Sequence, residues 1–399
     1  MLGVRSRRGP AAETDGLRRL PLLRTPFHQF HVRHSAKMVD FAGWEMPILY
    51  TGIVEEHRQV RSSGGLFDVS HMGRVRFRGR HARRLLEKLC TRRLSDMQQG
   101  QCRYSLVCNE TGGVRDDVLV YRMDDDEFLM VVNASNREKL LGHFEDVRAA
   151  SEFKVTIDDQ TMKTGMVAIQ GPAVMERIGN FSTEIPTLKR YRFTVKNLLI
   201  MKLIVSRTGY TGEDGVEVMM PADKVEMVMK LIKKGIDLDD PQGAIRPIGL
   251  GARDTLRMEA GMPLYGHELG EDINALACGV DFAITMDKDQ DERGEAFIGL
   301  DALREAQKNG LPRKLTGLLI EGRRTARADM PVMQGEKQVG VVTSACLSPT
   351  LERPIAMAMV DSALCEPGTA LEVDAGRARL EAMATALPFY KAPKKQPAA

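Results

Sequence analysis

Residues 101–133, with the sequence QCRYSLVCNETGGVRDDVLVYRMDDDEFLMVVN, form three apolar segments separated by the polar turns ETGG and DDD. Apolar runs bounded by such turn residues predict an antiparallel meander of three strands. The second segment, GGVRDDVLVY (112–121), places two adjacent carboxylates, Asp116 and Asp117, at the start of its strand. Neighbouring strand side chains point to opposite faces, and here both faces continue with apolar residues. One carboxylate therefore faces a dry interior, where it must be paired, neutralised or used in chemistry.

Helices and strands surround this meander on both sides. IVEEHRQVRSSGG (53–65) and GLGARDTLRMEAG (249–261) have the spacing of amphipathic helices. RVRFRGR (74–80) alternates like an exposed strand, and Ser135 with Glu138 is typical of a capping box at the start of a helix. These patterns predict an α+β fold.

The chain divides into several parts. We expect residues 1–22 to form a disordered extension and residues 23–286 to contain the mixed helices and strands. The polar stretch DKDQDERGEA (287–296) is typical of a linker. Short alternating strands with Gly and Pro turns predict a small β-barrel or sandwich over 297–390, followed by a disordered tail at 391–399.

The composition excludes some classes of function. The chain has 399 residues and a formal net charge of +3, and its arginines are scattered among acids, so we expect no nucleic-acid partner. No apolar run reaches the about 20 residues that cross a bilayer, so we expect no membrane partner. The six cysteines form no CxxC pair, which favours reduced thiols over disulfides.

The N-terminal segment bears on the compartment. We expect a cytoplasmic protein. The Arg-rich N-terminus would place it in the mitochondrial matrix if it were a transit peptide, but Glu13 and Asp15 argue against that interpretation.

Motifs for metals and nucleotides are weak. His28, His31 and His34 are spaced by three residues, so they drift off a common helical face. They also lack the Cys or carboxylate companions of a ligand set, so we predict no metal site. No GxGxxG motif follows an N-terminal strand, which argues against a flavin or nicotinamide domain. The Gly-rich segment RTGYTGEDG (207–215) fits either a nucleotide loop or a tight hairpin connection.

Polar residues within apolar or Gly-rich surroundings suggest a binding site for a flat, polar heterocycle. These residues are Asp117, Asn133, Tyr210, Glu217 and Arg253. A carboxylate can accept two hydrogen bonds from a ring, a tyrosine can stack, and an arginine can hold an anionic end. Each residue alone also has a structural explanation: Asp117 could cap a turn, and Glu217 could pair with Arg253.

Six sequence blocks resemble the aminomethyltransferase (T-protein) family of the glycine cleavage system. The resemblance runs from residue 23 to residue 391, and the blocks occur in the family's order. They are KMVDFAGWEMP (37–47), GLFDVSHMGRV (65–75), GGVRDDVLVY (112–121), RTGYTGEDGVEV (207–218), GARDTLRMEAGMPLYG (251–266) and VTSACLSPTLE (342–352).

The resemblance implies a fold and an activity. The fold is a three-domain clover-leaf that binds folate, with two interleaved domains over 23–286 and a small β-barrel over 297–390. The activity is transfer of the aminomethyl carbon from the lipoyl arm of the H-protein to tetrahydrofolate, which releases ammonia and forms methylene-tetrahydrofolate. Tetrahydrofolate is the co-substrate, no metal or flavin is implied, and the lipoylated H-protein is the expected partner.

The resemblance also implies roles for individual residues. Asp117 matches the family's catalytic carboxylate. The residues that match positions around the folate site are Glu217, Arg253, Tyr210, Tyr104, Asn133, Met72 and Tyr390.

One departure and two related activities stay open. Arg115 stands where the family usually has an apolar residue; by simple alternation we expect it on the face opposite Asp116 and outside the pocket. A folate-dependent demethylase acting on another methyl donor would use the same pocket. A non-catalytic folate-binding relative would carry a K-G-C-Y-x-G-Q-E signature, whereas this chain has TGYTGEDGVE (208–217).

Overall fold

The computed structural model describes residues 21–198, 200–233 and 235–393. The extension expected at 1–22 and the tail expected at 391–399 therefore lie, apart from a few residues at each inner boundary, outside the described residues.

Helices and strands are distributed along the whole described chain. The helices are α1 (His28–Arg33), α2 (Ile53–Ser62), α3 (Ala82–Leu89), α4 (Arg137–Ala150), α5 (Val174–Gly179), α6 (Val225–Ile232), α7 (Leu250–Glu259) and α8 (Leu300–Asn309). The strands are β1 (Lys37–Phe41), β2 (Trp44–Leu49), β3 (Gly65–Asp68), β4 (Gly73–Arg78), β5 (Cys102–Cys108), β6 (Val114–Asp124), β7 (Glu127–Val132), β8 (Thr156–Asp159), β9 (Thr164–Gln170), β10 (Phe193–Leu198), β11 (Met201–Ser206), β12 (Gly215–Pro221), β13 (Arg246–Pro247), β14 (Arg313–Ile320), β15 (Pro331–Gln334), β16 (Lys337–Ser348), β17 (Arg353–Asp361), β18 (Ala370–Asp374) and β19 (Arg379–Thr385).

A five-stranded sheet contains the predicted meander. Its strand order is β5-β6-β7-β4-β8, and β5, β6 and β7 pair antiparallel in sequence order, which confirms the meander. Helices α3 and α4 cover one face, where Val118 and Val120 of β6 pack with Leu140 and Phe144 of α4. The strand predicted to be exposed, β4, instead lies between β7 and β8, and its Arg74 is buried.

A six-stranded sheet lies beside the first. Its order is β10-β11-β12-β9-β3-β13, and the segment 207–215 connects the antiparallel strands β11 and β12. The five-stranded sheet is formed by residues between β3 and β9, so the two sheets interleave along the chain. An apolar core between them includes Phe67, Tyr121 and Met219, together with Leu256 of α7.

The C-terminal part of the chain closes into a barrel. The strands follow the order β14-β17-β16-β15-β18-β19, and pairing of β19 with β14 closes the ring. The α+β fold with a C-terminal β-barrel is therefore confirmed, and the sandwich alternative is excluded. Helix α8 precedes the barrel, whose first strand begins at Arg313.

The polar stretch before the barrel is anchored rather than free. Lys288 is fully buried, and its Nζ lies 2.7 Å from Oε2 of Glu87. The same ammonium donates to the carbonyls of Glu87 and Cys90 at the end of α3, where the helix carries negative partial charge. These contacts fix the segment against the five-stranded sheet unit.

Two further expectations concern the whole chain. All six cysteines are free, as predicted. In the described part of the chain, no helix is long and apolar enough to span a bilayer.

Candidate active site

A β-bulge at the start of β6 sets the directions of the two adjacent carboxylates. Val107 of β5 pairs with Asp116, whereas Cys108 pairs with Val114, so Arg115 is one extra residue opposite β5. Beyond the bulge, Asp116 shares the α4 face with Val118. Asp117 pairs with Leu106 and points to the other face.

The expectation that Arg115 lies on the face opposite Asp116 is wrong. The extra residue interrupts the alternation, and Arg115 lies along α4 beside Lys139 and His143, on the side that also covers Asp116. Its guanidinium is 3.5 Å from the carboxylate of Glu110. Arg115 therefore pairs with neither Asp116 nor Asp117, as expected, but the bulge rather than simple alternation is the reason.

Asp116 is fully buried at the start of α4. Its Oδ2 accepts a hydrogen bond from the backbone N–H of Asn133 at 3.0 Å. Its Oδ1 accepts from Nδ2 of Asn133 at 2.8 Å and from Nδ2 of Asn136 at 2.6 Å. Burial, and then the charge of Asp117, raise the pKa of Asp116, while these N–H donors favour its ionised form.

Asn136 contacts this carboxylate pair, although the sequence pattern does not predict it. The capping box predicted from Ser135 and Glu138 does not form; Asn136 precedes α4, and no side chain caps that helix. The amide of Asn136 binds Asp116 instead. The available signal was the spacing of Asn133 and Asn136 after a buried strand.

Asp117 is half-buried and held from two sides. Its Oδ1 accepts from Nδ2 of Asn133 at 2.7 Å, and its Oδ2 accepts from the hydroxyl of Tyr104 at 3.2 Å. Burial raises the pKa of Asp117 above its ordinary value, and the two hydrogen bonds oppose that shift. Asp117 is thus part of a side-chain network and does not cap a turn.

Arg253 of α7 and Tyr210 form a neighbouring pair. The Arg253 guanidinium lies 4.8 Å from the centre of the Tyr210 ring, in cation–π contact. The Tyr210 hydroxyl donates to the carbonyl of Pro263 at 2.5 Å. Nη1 of Arg253 is buried and has no hydrogen-bond partner among the described residues. Burial raises the pKa of Tyr210, and Asp117 and Arg253 are both close enough to influence it.

Glu217 is buried on β12 and is held by a hydroxyl chain. Thr208 Oγ1 donates to its Oε2 at 2.5 Å, and Thr208 in turn contacts Ser206 at 2.7 Å. Burial raises the pKa of Glu217, and the charge of Arg253 opposes this. Among the described residues the two side chains form no ion pair within 4.0 Å, although each charge is close enough to shift the pKa of the other group. The sequence does not mark Thr208 and Ser206 as site residues, because hydroxyl residues are common beside strands.

The last two candidates have different surroundings. Met72 is half-buried in the turn before β4 and packs on the core between the sheets with Leu119. Tyr390 stacks on Arg61, whose guanidinium carbon is 4.0 Å from its ring centre, and its backbone N–H donates to the carbonyl of Glu259 at 2.8 Å. The structure thus brings Tyr104, Asn133 and Asp117 into direct contact but places Tyr390 against Arg61.

The three N-terminal histidines pair separately. His28, His31 and His34 contact Glu45 at 3.0 Å, Asp68 at 2.9 Å and Asp239 at 3.0 Å, respectively. Among the described residues, no group of three His, Cys, Asp or Glu side chains could hold a metal ion. Each of these histidines thus has its own carboxylate partner in a different part of the fold.

The arrangement joins hydrogen-bond acceptors, aromatic faces and a guanidinium whose buried Nη1 has no hydrogen-bond partner among the described residues. The carboxylates of Asp117 and Glu217 can accept N–H donors from a polar ring, and the Tyr104 and Tyr210 rings offer flat contact surfaces. A half-buried carboxylate can also stabilise positive charge on a reacting carbon, since the protein dipoles are already oriented. The site therefore suits binding of a nitrogen heterocycle together with group-transfer chemistry.

Comparison with known families covers both parts of the fold. Residues 27–288 match the family model described as GCVT N-terminal domain. Residues 313–391 match the glycine cleavage T-protein C-terminal barrel domain.

Relatives extend over nearly the full chain. An aminomethyltransferase from Rubrobacter xylanophilus is 44% identical over 378 residues, covering 94% of this chain and 96% of the relative. An aminomethyltransferase from Bacillus pumilus is 41% identical over 380 residues, covering 94% of this chain and 100% of the relative. The crystal structure of glycine cleavage system aminomethyltransferase T from Bartonella henselae superposes with a TM-score of 0.84 at 27% identity, covering 93% and 99% of the two chains.

These matches first define the class of enzyme, which is an aminomethyltransferase. The chain belongs to the glycine cleavage T-protein family, whose members use tetrahydrofolate. The expected family and the expected three-domain fold are confirmed.

Proposed function

We propose that this enzyme transfers the aminomethyl carbon carried on the lipoyl arm of the H-protein to tetrahydrofolate, with release of ammonia and formation of methylene-tetrahydrofolate. The observation that carries the proposal is the carboxylate of Asp117, held by Asn133 and Tyr104. It lies near Tyr210, which is in cation–π contact with Arg253.

The residues present fit a folate. Only Oε2 of Glu217 accepts a hydrogen bond from another described side chain, so Oε1 remains available to N–H donors of the pterin. Arg253 has a buried N–H group without a partner. Tyr210 and Tyr104 provide ring surfaces, and Met72 and Asn133 complete the proposed binding site.

Tyr390 supports the site indirectly in this proposal. Its ring covers Arg61, which donates to the carbonyl of Thr211 at 2.7 Å and pairs with Glu213 at 2.9 Å. Both contacts lie in the loop that carries Tyr210. Tyr390 thereby helps to fix the position of that loop.

The chemistry assigned to Asp117 follows from charge. During transfer, the carbon loses its bonds to the amine nitrogen and the lipoyl sulfur and gains two bonds to folate nitrogens. Positive charge develops on the carbon as ammonia leaves, and the ionised Asp117 carboxylate stabilises it. Proton transfer by the same group adds an effect typically of about 10²- to 10⁴-fold. Positioning of the two large substrates supplies further acceleration.

The donor is tested by offering alternatives to the wild-type enzyme. Lipoylated H-protein loaded with the aminomethyl group, together with tetrahydrofolate, should give ammonia and methylene-tetrahydrofolate in equal amounts. The controls are the carrier without its lipoyl group, and sulfonium or methoxy methyl donors, none of which should give product. Product from a methyl donor but not from the loaded carrier would contradict the proposed donor. Folate binding without turnover of any donor would contradict the catalytic role.

A further inference from the structure

We propose that Asp116 and Asn136 are positioning residues for the transfer, because they fix Asn133 so that its amide holds the carboxylate of Asp117. This inference rests on the function proposed above for Asp117.

A single amide nitrogen connects the two carboxylates. Nδ2 of Asn133 lies 2.8 Å from Oδ1 of Asp116 and 2.7 Å from Oδ1 of Asp117. An amide nitrogen carries two hydrogens, so it can donate to both oxygens at once. Any rotation of the Asn133 side chain would therefore break its bond to Asp117.

Asp116 holds Asn133 at two points. One oxygen accepts from the side chain of Asn133, and the other accepts from its backbone N–H at 3.0 Å. Because Asp116 binds both the main chain and the side chain of Asn133, it fixes the Asn133 side chain in one rotamer. Asp116 thus determines where the hydrogen bond to Asp117 points.

Asn136 holds Asp116 from the start of α4. Its Nδ2 donates to Oδ1 of Asp116 at 2.6 Å, the oxygen that also receives the side chain of Asn133. Asn136 is buried, and it contacts Asp116 rather than Asp117. Asn136 therefore supports the carboxylate of Asp117 indirectly, through Asp116 and Asn133.

Asp116 cannot contact the substrate itself. It is fully buried on the face covered by α4, next to the apolar core that contains Val118. A buried carboxylate is costly unless all its hydrogen bonds are made, and removing one partner leaves the others unsatisfied. Such a group on the far side of the strand is explained by its hold on Asn133 rather than by ligand binding.

The test is a double-mutant cycle of Asp116→Asn and Asn133→Ala, with kcat and the Kd of tetrahydrofolate measured for each enzyme. Asp116→Asn keeps the size of the side chain but supplies only one acceptor oxygen. We expect kcat to fall about 10- to 100-fold, the effect of a misplaced reacting group. For Asp116→Asn the Kd of tetrahydrofolate should stay within about threefold, and Asp116→Asn should lower kcat little further in the Asn133→Ala background because both changes break one chain of contacts.

Two further variants keep the result interpretable. Asn136→Ala removes a single donor to Asp116 and should lower kcat by a smaller factor in the same direction. Asp159→Asn is the matched control, because Asp159 of β8 lies in the same sheet, pairs with Arg137 at the start of α4, and forms no hydrogen bond with Asp116, Asn133 or Asp117. It should lower thermal stability without changing kcat.

The possible failures can be told apart. This inference would be overturned if the fold-losses of kcat in Asp116→Asn and Asn133→Ala multiply in the double variant. It would also be overturned if kcat is unchanged in both Asp116→Asn and Asn136→Ala. If Asp116→Asn does not fold, Asn136→Ala decides by its kcat alone. Full activity of Asp117→Asn would instead contradict the proposed function itself.

Discussion

At the scale of single residues, two neighbouring aspartates have different environments because of one extra residue. The bulge at Arg115 turns Asp116 under α4, while Asp117 faces Tyr104. Burial raises the pKa of both carboxyl groups, and Asn133 donates to both. Asp116 is therefore fully enclosed by its hydrogen-bond partners, whereas Asp117 remains partly exposed.

The sequence reveals such residues only in part. Asp117, Glu217 and Arg253 stand out because they are polar within apolar or Gly-rich segments. Asn136 and Thr208 do not, since asparagine before a helix and threonine beside a strand have ordinary structural uses. Their partners lie across the fold, so only the structure shows which groups they hold.

At the scale of elements, β4 shows how a sequence pattern can mislead. Alternating arginines predict an exposed strand, yet Arg74 is buried and donates to backbone carbonyls of Ser70, Met72, Thr161 and Thr164. Burial lowers the pKa of Arg74 to about 10, with the nearby charge of Asp68 opposing. A guanidinium that satisfies several carbonyls can replace a hydrophobic residue, and alternation cannot distinguish the two cases.

Replacing Arg74 should therefore be far more costly than replacing Arg76 two positions along the strand. Arg74→Met leaves several buried carbonyls without donors, and we expect it to lower the free energy of unfolding by about 3 kcal/mol or more. Arg76→Met breaks a half-buried pair with Glu127 and should cost about 1 kcal/mol or less. Urea denaturation measures both variants. Equal losses in the free energy of unfolding for the two variants would show that the hydrogen bonds of Arg74 do not stabilise the turn before β4.

At the scale of the whole molecule, a buried polar network joins the barrel to the first two sheets. Glu259 of α7 accepts from Ser348 at 2.5 Å and from Thr350 at 2.8 Å in the barrel, and from Arg61 of α2 at 2.9 Å. His57 lies 3.1 Å from the same carboxylate. The alternating pattern of the C-terminal strands predicts a barrel. The junction cannot be predicted in this way, because it joins residues that are far apart in sequence and leaves no local sequence pattern.

The junction predicts a specific dependence of stability on pH. Burial opposes ionisation of Glu259, but His57, Ser348 and Arg61 together lower its pKa from 4.5 to about 2. A depressed pKa stabilises the fold above the unfolded value and loses its effect as pH falls toward the folded value. At neutral pH this contribution is about 3 kcal/mol.

Glu259→Gln should accordingly be less stable than the wild type at pH 7. The difference in melting temperature should shrink as the pH falls from about 4.5 toward about 2, because the wild-type carboxylate becomes protonated there. Glu352→Gln is the control: Glu352 forms an exposed pair with Arg58 at 3.2 Å and should change the melting temperature little. A difference for Glu259→Gln that does not change with pH would contradict this account of the junction.

The measurement that bears most directly on the central claim is the single-turnover rate of Asp117→Asn. The enzyme is mixed with saturating aminomethyl-loaded carrier and tetrahydrofolate, and the Kd of tetrahydrofolate is measured on the same preparation. We expect a rate about 10²-fold or more below that of the wild type, with a Kd within about threefold, because the carboxylate acts on charge that develops during the transfer. A single-turnover rate equal to that of the wild type would contradict it.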